Sequence, residues 1–570
     1  MAGTDLGGII GGQNPIHFNS GNPLPLFLVQ AAVIIIICRL LQYPLSYLRQ
    51  PRVIAEVIGG ILLGPTALGR IPSFSDNLFP KESLPFINLV ANFGLVFFLF
   101  LVGLELDPAM LIKSARRTLG ISLAGMALPF GAGVGVSYAL YWQLDESYHT
   151  KGFGGFLLFC GIAMSITAFP VLARILSELS LLKTHVGSIT ISAAAVDDAV
   201  SWCLLALVIA IINAGAPINT VYILLVGIGY VLFLILVVRP LFVRYFLKRF
   251  YNPEIGPSQL VVTAVTLMVF VSAFFTDALG IHAIFGGFVI GVIMPHEGGF
   301  AVKLTEKIED MITIIFLPLY FALSGLNTEI GLLNDGKAWG MVVLVIVVAI
   351  GGKVIGCTSV AKLSGMTWRE AATVGFLMNC KGLVELIVLN LGLQAGVIDR
   401  KVFAILVLMA LVTTFITTPI VMALYPPRYW RTVKGITRAN SRAASPTGTI
   451  SGAVNNELLV CLSRMRQVPA IMQLMRVLAP RRRKTTGGIP VVHALRLVEL
   501  GQRESAVMRG QEVNEIIRHD PVSNVLRAFG QLSGITVDAA MTVSDMPGYP
   551  NAVADHAMDI DAGLVVVPWT

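Results

Sequence analysis

The chain has 570 residues, of which 55% are hydrophobic and only 13% charged, with a formal net charge of +8. Soluble domains carry about 25% charged residues, so this composition excludes an ordinary soluble protein and calls for lipid around much of the surface. The basic excess lies mainly in short loops, where membrane topology explains it better than a nucleic-acid partner. The six cysteines have no CxxC spacing and five sit in apolar segments, which argues against a disulfide framework or a zinc site.

A helix needs about 20 apolar residues to cross the hydrocarbon. The start, MAGTDLGGIIGGQNP, lacks a basic region followed by an apolar core and cleavage site, so the first apolar segment is expected to be inserted and kept. In chain order the expected spans are 24–44, 53–69, 84–106, 117–142, 152–179, 185–213, 219–247, 258–279, a short ninth at 281–295, then 310–327, 337–361, 369–395 and 402–425. Alternate loops differ in charge. Arg49 and Arg52, Arg116 and Arg117, Arg174 and Lys183, Arg244 and Lys248, and Lys362 and Arg369 fall on one side, with neutral or acidic loops such as QLDESYH on the other, Asp399, Arg400 and Lys401 being a small exception there. The positive-inside rule then places the amino terminus outside or in a lumen and the carboxyl terminus in the cytosol.

Two motifs recur. AEVIGGILLG (Ala55–Gly64) matches HAIFGGFVIG (His282–Gly291), and FLFLVGLE (Phe98–Glu105) matches YFALSGLN (Tyr320–Asn327) in the same order. Seven spans separate the copies, an odd number, so the two halves enter the membrane from opposite sides, as in the inverted repeats of secondary transporters. Helix breakers occur at corresponding places. In the fifth span Pro170 removes an amide donor, and Ser165 and Thr167 before it offer oxygens. In the twelfth span Asn379, Lys381, Gly382 and Glu385 interrupt the apolar run. Paired breaks predict crossed half-helices, a common setting for ion sites near the bilayer midplane.

The sixth span holds Asp197 and Asp198 well inside an apolar helix, where each costs about 2.5–3.5 kcal/mol. Adjacent helix positions point about 100° apart, so one carboxylate can meet a cavity while the other meets a neighbouring helix. Lys353, flanked by glycines in the eleventh span, is the available counter-charge, and its pairing with Asp197 has a purely structural reading as well as a functional one. Glu56 and Glu385 are secondary candidates that could pair with a basic residue such as Lys381. Glu105, Asp107 and Glu329 at helix ends read as solvated, and His282 reads as a packing histidine.

Beyond Tyr425 a basic exit and a Ser/Thr/Gly/Ala-rich stretch read as a linker over 426–455. ELLVCLS, PVVHALRL, ITVDAAMTV and AGLVVVPW then read as strands, with helices near 466–478, 522–533 and 551–558. That alternation predicts a small parallel α/β domain over 456–570. No GxGxxG follows a strand and no phosphate-binding P-loop is present, so neither an NAD-binding domain nor any other cofactor is expected.

PRVIAEVIGGILLGPTALG, FGLVFFLFLVGLELD, SITAFPVLARILSEL, AAAVDDAVSW and CKGLVELIVLNLGL together resemble the second class of monovalent cation:proton antiporters, especially plant cation/proton exchangers and fungal potassium/proton antiporters. The resemblance covers about residues 20–425. It implies an all-α polytopic membrane protein with about 13 transmembrane helices in two inverted repeats, crossed broken helices and a sodium/proton-antiporter-like fold, plus the cytosolic α/β domain. The tail resembles the universal-stress-protein-like tail of the same exchangers. The implied domains are an N-terminal tail (1–23), the antiporter domain (24–425), the linker and the α/β domain, which could hold a regulatory ligand. The family pattern further implies a homodimer in the lipid bilayer, with a moving core of spans 4–6 and 11–13 and the seventh as a linker. It makes Asp198 the carboxylate that takes a monovalent cation, potassium before sodium, or a proton. In that pattern Asp197 can pair with Lys353; a dehydrated cation also needs further hard oxygens, which Thr167, Ser165 and exposed carbonyls of the broken helices could provide. An endomembrane of Golgi type or the plasma membrane is the implied location. A channel, or a sensor that kept the antiporter fold, is the alternative.

Overall fold

The computed structural model describes residues 17–48, 50–106, 108–142, 144, 153–179, 181, 184–213, 217–252, 256–296, 299–426, 429, 458–462, 467–478, 491–499, 521–533, 535–544, 549–560 and 562–567. They belong to two compact units. One takes residues 1–295 and 304–434, the other 296–303 and 435–570.

The membrane unit is helical. In chain order it has α1 (Leu24–Tyr47), α2 (Arg52–Leu63), α3 (Leu84–Glu105), α4 (Pro108–Tyr141), α5 (Phe153–Ser165), α6 (Phe169–Glu178), α7 (His185–Asn213) and α8 (Pro217–Phe233), the last prolonged to Phe250. After these come α9 (Gln259–Ala278), α10 (Ala283–Ile293), α11 (Phe300–Met311), α12 (Leu317–Leu326), α13 (Gly336–Leu363), α14 (Trp368–Leu377), α15 (Leu383–Gln394) and α16 (Arg400–Leu424). Among the described residues 11 helical stretches are long and apolar enough to cross a membrane. The difference from the 13 spans expected has two causes. The ninth span is the short α10, and the twelfth is divided into the half-helices α14 and α15. The prolonged α8 presents Leu225, Leu236 and Tyr245 outward, an apolar surface that only lipid or another membrane helix can cover.

The repeated motifs interlock across the two halves. In α2, a Cβ on Gly60 would collide with the Ala322 backbone of α12, and one on Gly325 would collide with Val57 and Gly60 of α2. In the second seam Gly103 of α3 and Gly291 of α10 face each other in the same way, Gly291 lying against the Phe100 carbonyl. Each half's first motif thus packs on the other half's second. Small residues at these positions let backbones touch, which drives helix association where lipid removes the hydrophobic incentive.

The second unit contains a four-stranded parallel sheet. Its strands are β1 (Leu458–Leu462), β2 (Val491–Glu499), β3 (Thr536–Ser544) and β4 (Leu564–Val566), in the spatial order β3-β2-β1-β4. α17 (Val468–Leu478) and α18 (Pro521–Ser533) cover one face through Val468, Ile471, Met475, Val522 and Leu526 on Leu458, Val460 and Val492. α19 (Tyr549–Asp559) covers the other, where Tyr549, Val553 and Ala557 meet Leu459, Cys461, Leu495 and Leu497. Strands buried on both faces explain the near-continuous apolar run LLVCL. The basic run RRRKTTGG and the linker at 426–455 lie outside the described residues apart from Pro426 and Tyr429.

Candidate functional site

Two interrupted helices meet at the centre of the membrane unit. α5 stops at Ser165, residues 166–168 are extended, and α6 restarts at Phe169 with Pro170 in its first turn, where a missing amide costs nothing. α14 stops at Leu377 and α15 restarts at Leu383. The backbone freed by each break is satisfied by the other. The Ala168 amide donates to the Cys380 carbonyl at 3.1 Å, and the Thr167 hydroxyl donates to the Met378 carbonyl at 2.9 Å. These bonds make the crossing one hydrogen-bonded unit in a medium with no water to replace them.

Two buried lysines close the carboxyl-terminal end of half-helix α5, where unpaired carbonyls carry partial negative charge. Lys381 donates to the Ala163 and Met164 carbonyls at 2.9 and 3.1 Å, and to Glu385 Oε2 at 3.2 Å. Lys353 donates to the Ser165 carbonyl and to Asp197 Oδ2, the latter at 3.0 Å. Each ammonium is therefore shared between a carboxylate and the same helix end. Both ion pairs are almost completely enclosed. Thr414 of α16 holds the Lys381 backbone, with its hydroxyl against both the amide and the carbonyl.

Asp197 and Asp198 lie mid-way along α7, and both are fully buried. Their surroundings differ sharply. Asp197 is paired through Oδ2 with Lys353, while its Oδ1 has no fully formed hydrogen bond. Asp198 has no ion-pair partner and no fully formed hydrogen bond among the described residues, and the side-chain donor that acts on it is the Trp202 indole. Asn379 Oδ1, in the second break, is also buried without a partner. A buried carboxylate with no counter-charge is a hard, anionic group to which a proton or a monovalent cation can bind.

The other sequence candidates fall as follows. Ser165 spends its hydroxyl on the Ile162 carbonyl at 2.8 Å, so its carbonyl, rather than its hydroxyl, serves the site. Glu56 is buried on α2, and the charges that act on it are Arg52, Arg39 and Arg174. Lys381 pairs with Glu385, while the basic residues that act on Glu56 are these arginines. Glu105 is buried although it ends its helix, and not solvated as its position suggests. Glu329 is half-buried, and Asp107 lies outside the described residues. His282 caps α10 by accepting from the Ile284 amide, a packing role. Trp202 was given no part by the sequence, yet its buried ring lies one turn beyond Asp198 against Phe285 and Phe288. The i, i+4 spacing from an intramembrane acid was the available signal. No group of three metal-binding side chains occurs among the described residues.

The sequence profile described as sodium/hydrogen exchanger, transmembrane, matches residues 32–424. The chain belongs to this exchanger family. It is 41% identical to Cation/H(+) antiporter 17 of Arabidopsis thaliana, over 99% of its own length and 68% of the relative's. It is 44% identical to K(+)/H(+) antiporter 1 of Saccharomyces cerevisiae, over 79% and 52% of the two chains. With Na(+)/H(+) antiporter NhaS4 of Synechocystis sp. it shares 40% identity over 71% and 98%. The sodium proton antiporter MjNhaP1 of Methanocaldococcus jannaschii has the same fold, with a TM-score of 0.53 at 14% identity over 70% of this chain and all of that one. These exchangers are transporters, not enzymes, and the chain is accordingly an integral membrane protein of the antiporter fold.

Proposed function

We infer that the protein exchanges a monovalent cation for protons across a membrane, with both ligands competing for Asp198. The observation that carries this reading is the contrast within one helix turn, where Asp197 is neutralised by Lys353 and Asp198 has no ion-pair partner among the described residues. Proton and cation each cancel the same charge, so binding one excludes the other. Thr167 and Asn379, on the two breaks, supply further oxygens for a dehydrated ion. Asp197, Lys353, Lys381 and Glu385 hold the breaks in place.

The exchange proceeds by an elevator-type movement. Helices α4–α7 and α13–α16 carry the crossing and move as a core, while α2, α3, α10 and α12, joined by their glycine seams, stay fixed. A loaded, neutral Asp198 passes the apolar face between the two sets at low cost. An empty charged one does not. Potassium is favoured over sodium, in keeping with the yeast K(+)/H(+) relative. The protein works as a homodimer, with the amino terminus outside or lumenal and the carboxyl terminus cytosolic, in a Golgi-like endomembrane or the plasma membrane. The α/β domain is of the universal-stress-protein type. It takes a regulatory ligand where the strand order reverses between β1 and β4, the usual binding edge of such sheets.

Reconstituted vesicles under an imposed potassium or sodium gradient test this. Reciprocal proton movement, larger with potassium, is expected. Cation flux without proton movement would identify a channel, and no flux of either would leave only a sensor.

A further inference from the structure

Trp202 follows Asp198 by one turn of α7, so the two side chains lie next to each other on the helix surface. The indole is 1% exposed. Its Nε1–H can only donate, and the acceptor it acts on is the Asp198 carboxylate, although neither group has a fully formed hydrogen bond. A buried donor and two buried acceptors, each without a fully formed hydrogen bond within one helical turn, are atypical of protein interiors. The indole N–H and the Asp198 carboxylate are thus left to each other, in a loose rather than a fully formed hydrogen bond. Asp197, the neighbouring acid, is instead paired with Lys353.

The far side of the ring is equally specific. It meets Phe285 edge-on at 6.1 Å and Phe288 at 5.7 Å, both on α10. That helix is the one locked to α3 through Gly103 and Gly291. Trp202 is therefore a side chain of the proposed moving core that touches the exchange carboxylate at one end and a fixed helix at the other.

We propose that Trp202 is a positioning residue of the exchange site, with its indole N–H supporting the anionic Asp198 carboxylate and its ring setting where that carboxylate stands along α10. This rests on the exchange reading above. The carboxylate is anionic both when empty and when cation-loaded, and a donor to one oxygen leaves the other free for the ion. The protonated carboxyl draws less on such a donor, because hydrogen bonds to a charged form favour that form. The indole thus biases the competition towards the cation. The aromatic contacts act on a different quantity, the rate of passage, because Phe285 and Phe288 form the surface over which the ring must slide.

The test separates the two ends. Trp202→Phe keeps a ring and removes the donor. In reconstituted vesicles it is expected to raise the apparent KM for potassium about fivefold or more, to move the pH profile of exchange towards alkaline pH, and to lower the maximal rate much less. Trp202→Leu should lower the maximal rate as well. An unchanged KM and pH profile in a well-folded Trp202→Phe would overturn the proposal. So would full recovery of both by Trp202→Leu, since any bulky apolar group would then serve.

A second measurement does not depend on flux. With 5-fluorotryptophan incorporated, the resonance that Trp202→Phe removes should move on titration with potassium chloride, and should stay still in Asp198→Asn. No movement in the unmutated protein would also overturn the assignment. Failure of the wild type to exchange protons would sink the exchange reading, whereas a normal wild type with an indifferent Trp202→Phe would sink only the role of Trp202.

Discussion

The two glycine seams and the helix crossing lie in the same membrane unit and obey opposite rules. At the seams, Gly60 against Ala322 and Gly103 against Gly291, backbones touch and no charge is involved. At the crossing, residues 166–168 and 378–382 abandon the helix, and buried charges at Lys353, Lys381, Asp197 and Glu385 hold the broken ends. The seams derive their strength from shape, and any added atom is a clash. The crossing derives its strength from pairing, and beside it Asp198 has no ion-pair partner among the described residues. On the proposed reading, rigidity and transport fall to neighbouring helices. Mutations should divide accordingly between loss of fold and loss of transport.

The largest effect expected on transport, with the least on stability, is Asp198→Asn. Asn keeps the volume and cannot change charge, so competition for the site ends and exchange should fall at least about a hundredfold, to the vesicle background. Because the buried carboxylate has no ion-pair partner to lose, and Asn still offers an oxygen to the Trp202 indole, the variant should be as heat-stable as the wild type or more so, since buried charge without a counter-charge opposes folding. Proton flux and melting temperature on the same preparation check both halves. Near-normal coupled flux would remove the central claim.

Gly60→Leu should do the reverse. A Cβ alone overlaps the Ala322 backbone, and a branched side chain forces α2 and α12 apart. Overpacking in a close-packed interior costs about 1–3 kcal/mol or more, and here backbone rather than a flexible side chain must yield. Loss of monodisperse protein in size-exclusion chromatography is the expected outcome. A stable Gly60→Leu with slowed exchange would instead mean that the seam moves, and the division between fixed and moving helices would have to be redrawn.

Much of this contrast was legible in the sequence, for physical reasons that can be named. The seams announced themselves because close approach demands glycine, and glycine at fixed spacing in two copies is visible as a repeat. The breaks were visible through Pro170 and the NCKG run, and the acid pair through its cost in an apolar helix. Lys353 could be matched to Asp197 because few intramembrane cations exist to match. Partners that depend on where a chain turns after leaving a helix were not legible. Lys381 reaches back to Ala163 and Met164, which are far away in sequence, and only the crossing brings them together. Glu56 meets arginines from α1 and α6 as well as its own helix, a consequence of tertiary packing that no local pattern encodes. Trp202 passed as an ordinary apolar residue because its contacts with Phe285 and Phe288 on α10 follow from tertiary packing.

Lys353 offers a sharper, intermediate test. Lys353→Ala removes the counter-charge of Asp197 and one of the two ammonium groups at the end of α5. Leaving a buried carboxylate alone typically costs about 3–5 kcal/mol, so a clear drop in melting temperature is expected. Adding Asp197→Asn should return a large part of it, because the uncompensated charge is gone. A double-mutant cycle on thermal stability reads the coupling directly. Strict additivity would show that the two side chains do not act as a pair, and the crossing would then owe its cohesion to the backbone bonds alone.

The smallest effect expected is in the α/β unit, at a charged pair that water reaches. His493 on β2 and Asp538 on β3 are register partners, with His493 Nδ1 3.5 Å from Asp538 Oδ2. The hydrogen bond from His493 holds the Asp538 carboxyl below the usual carboxylate range, helped by the charges of His493, His556 and Arg527 and opposed by partial burial. A depressed carboxylate stabilises the folded sheet fully above its unfolded value of about 3.9, and that contribution fades as pH falls through the lower folded value. The Asp538 side chain is 70% exposed, so solvent screening keeps the contribution well under about 1 kcal/mol. Hydrogen exchange of the β2 and β3 amides in the full chain, followed from neutral pH to below pH 4, should show the wild type losing slightly more protection than Asp538→Asn, which has no charge to surrender. His493→Gln keeps a donor without the charge and should fall between the two. Identical acid profiles for all three would mean that the pair contributes nothing, and that the contrast between paired and unpaired charge belongs to the membrane unit alone.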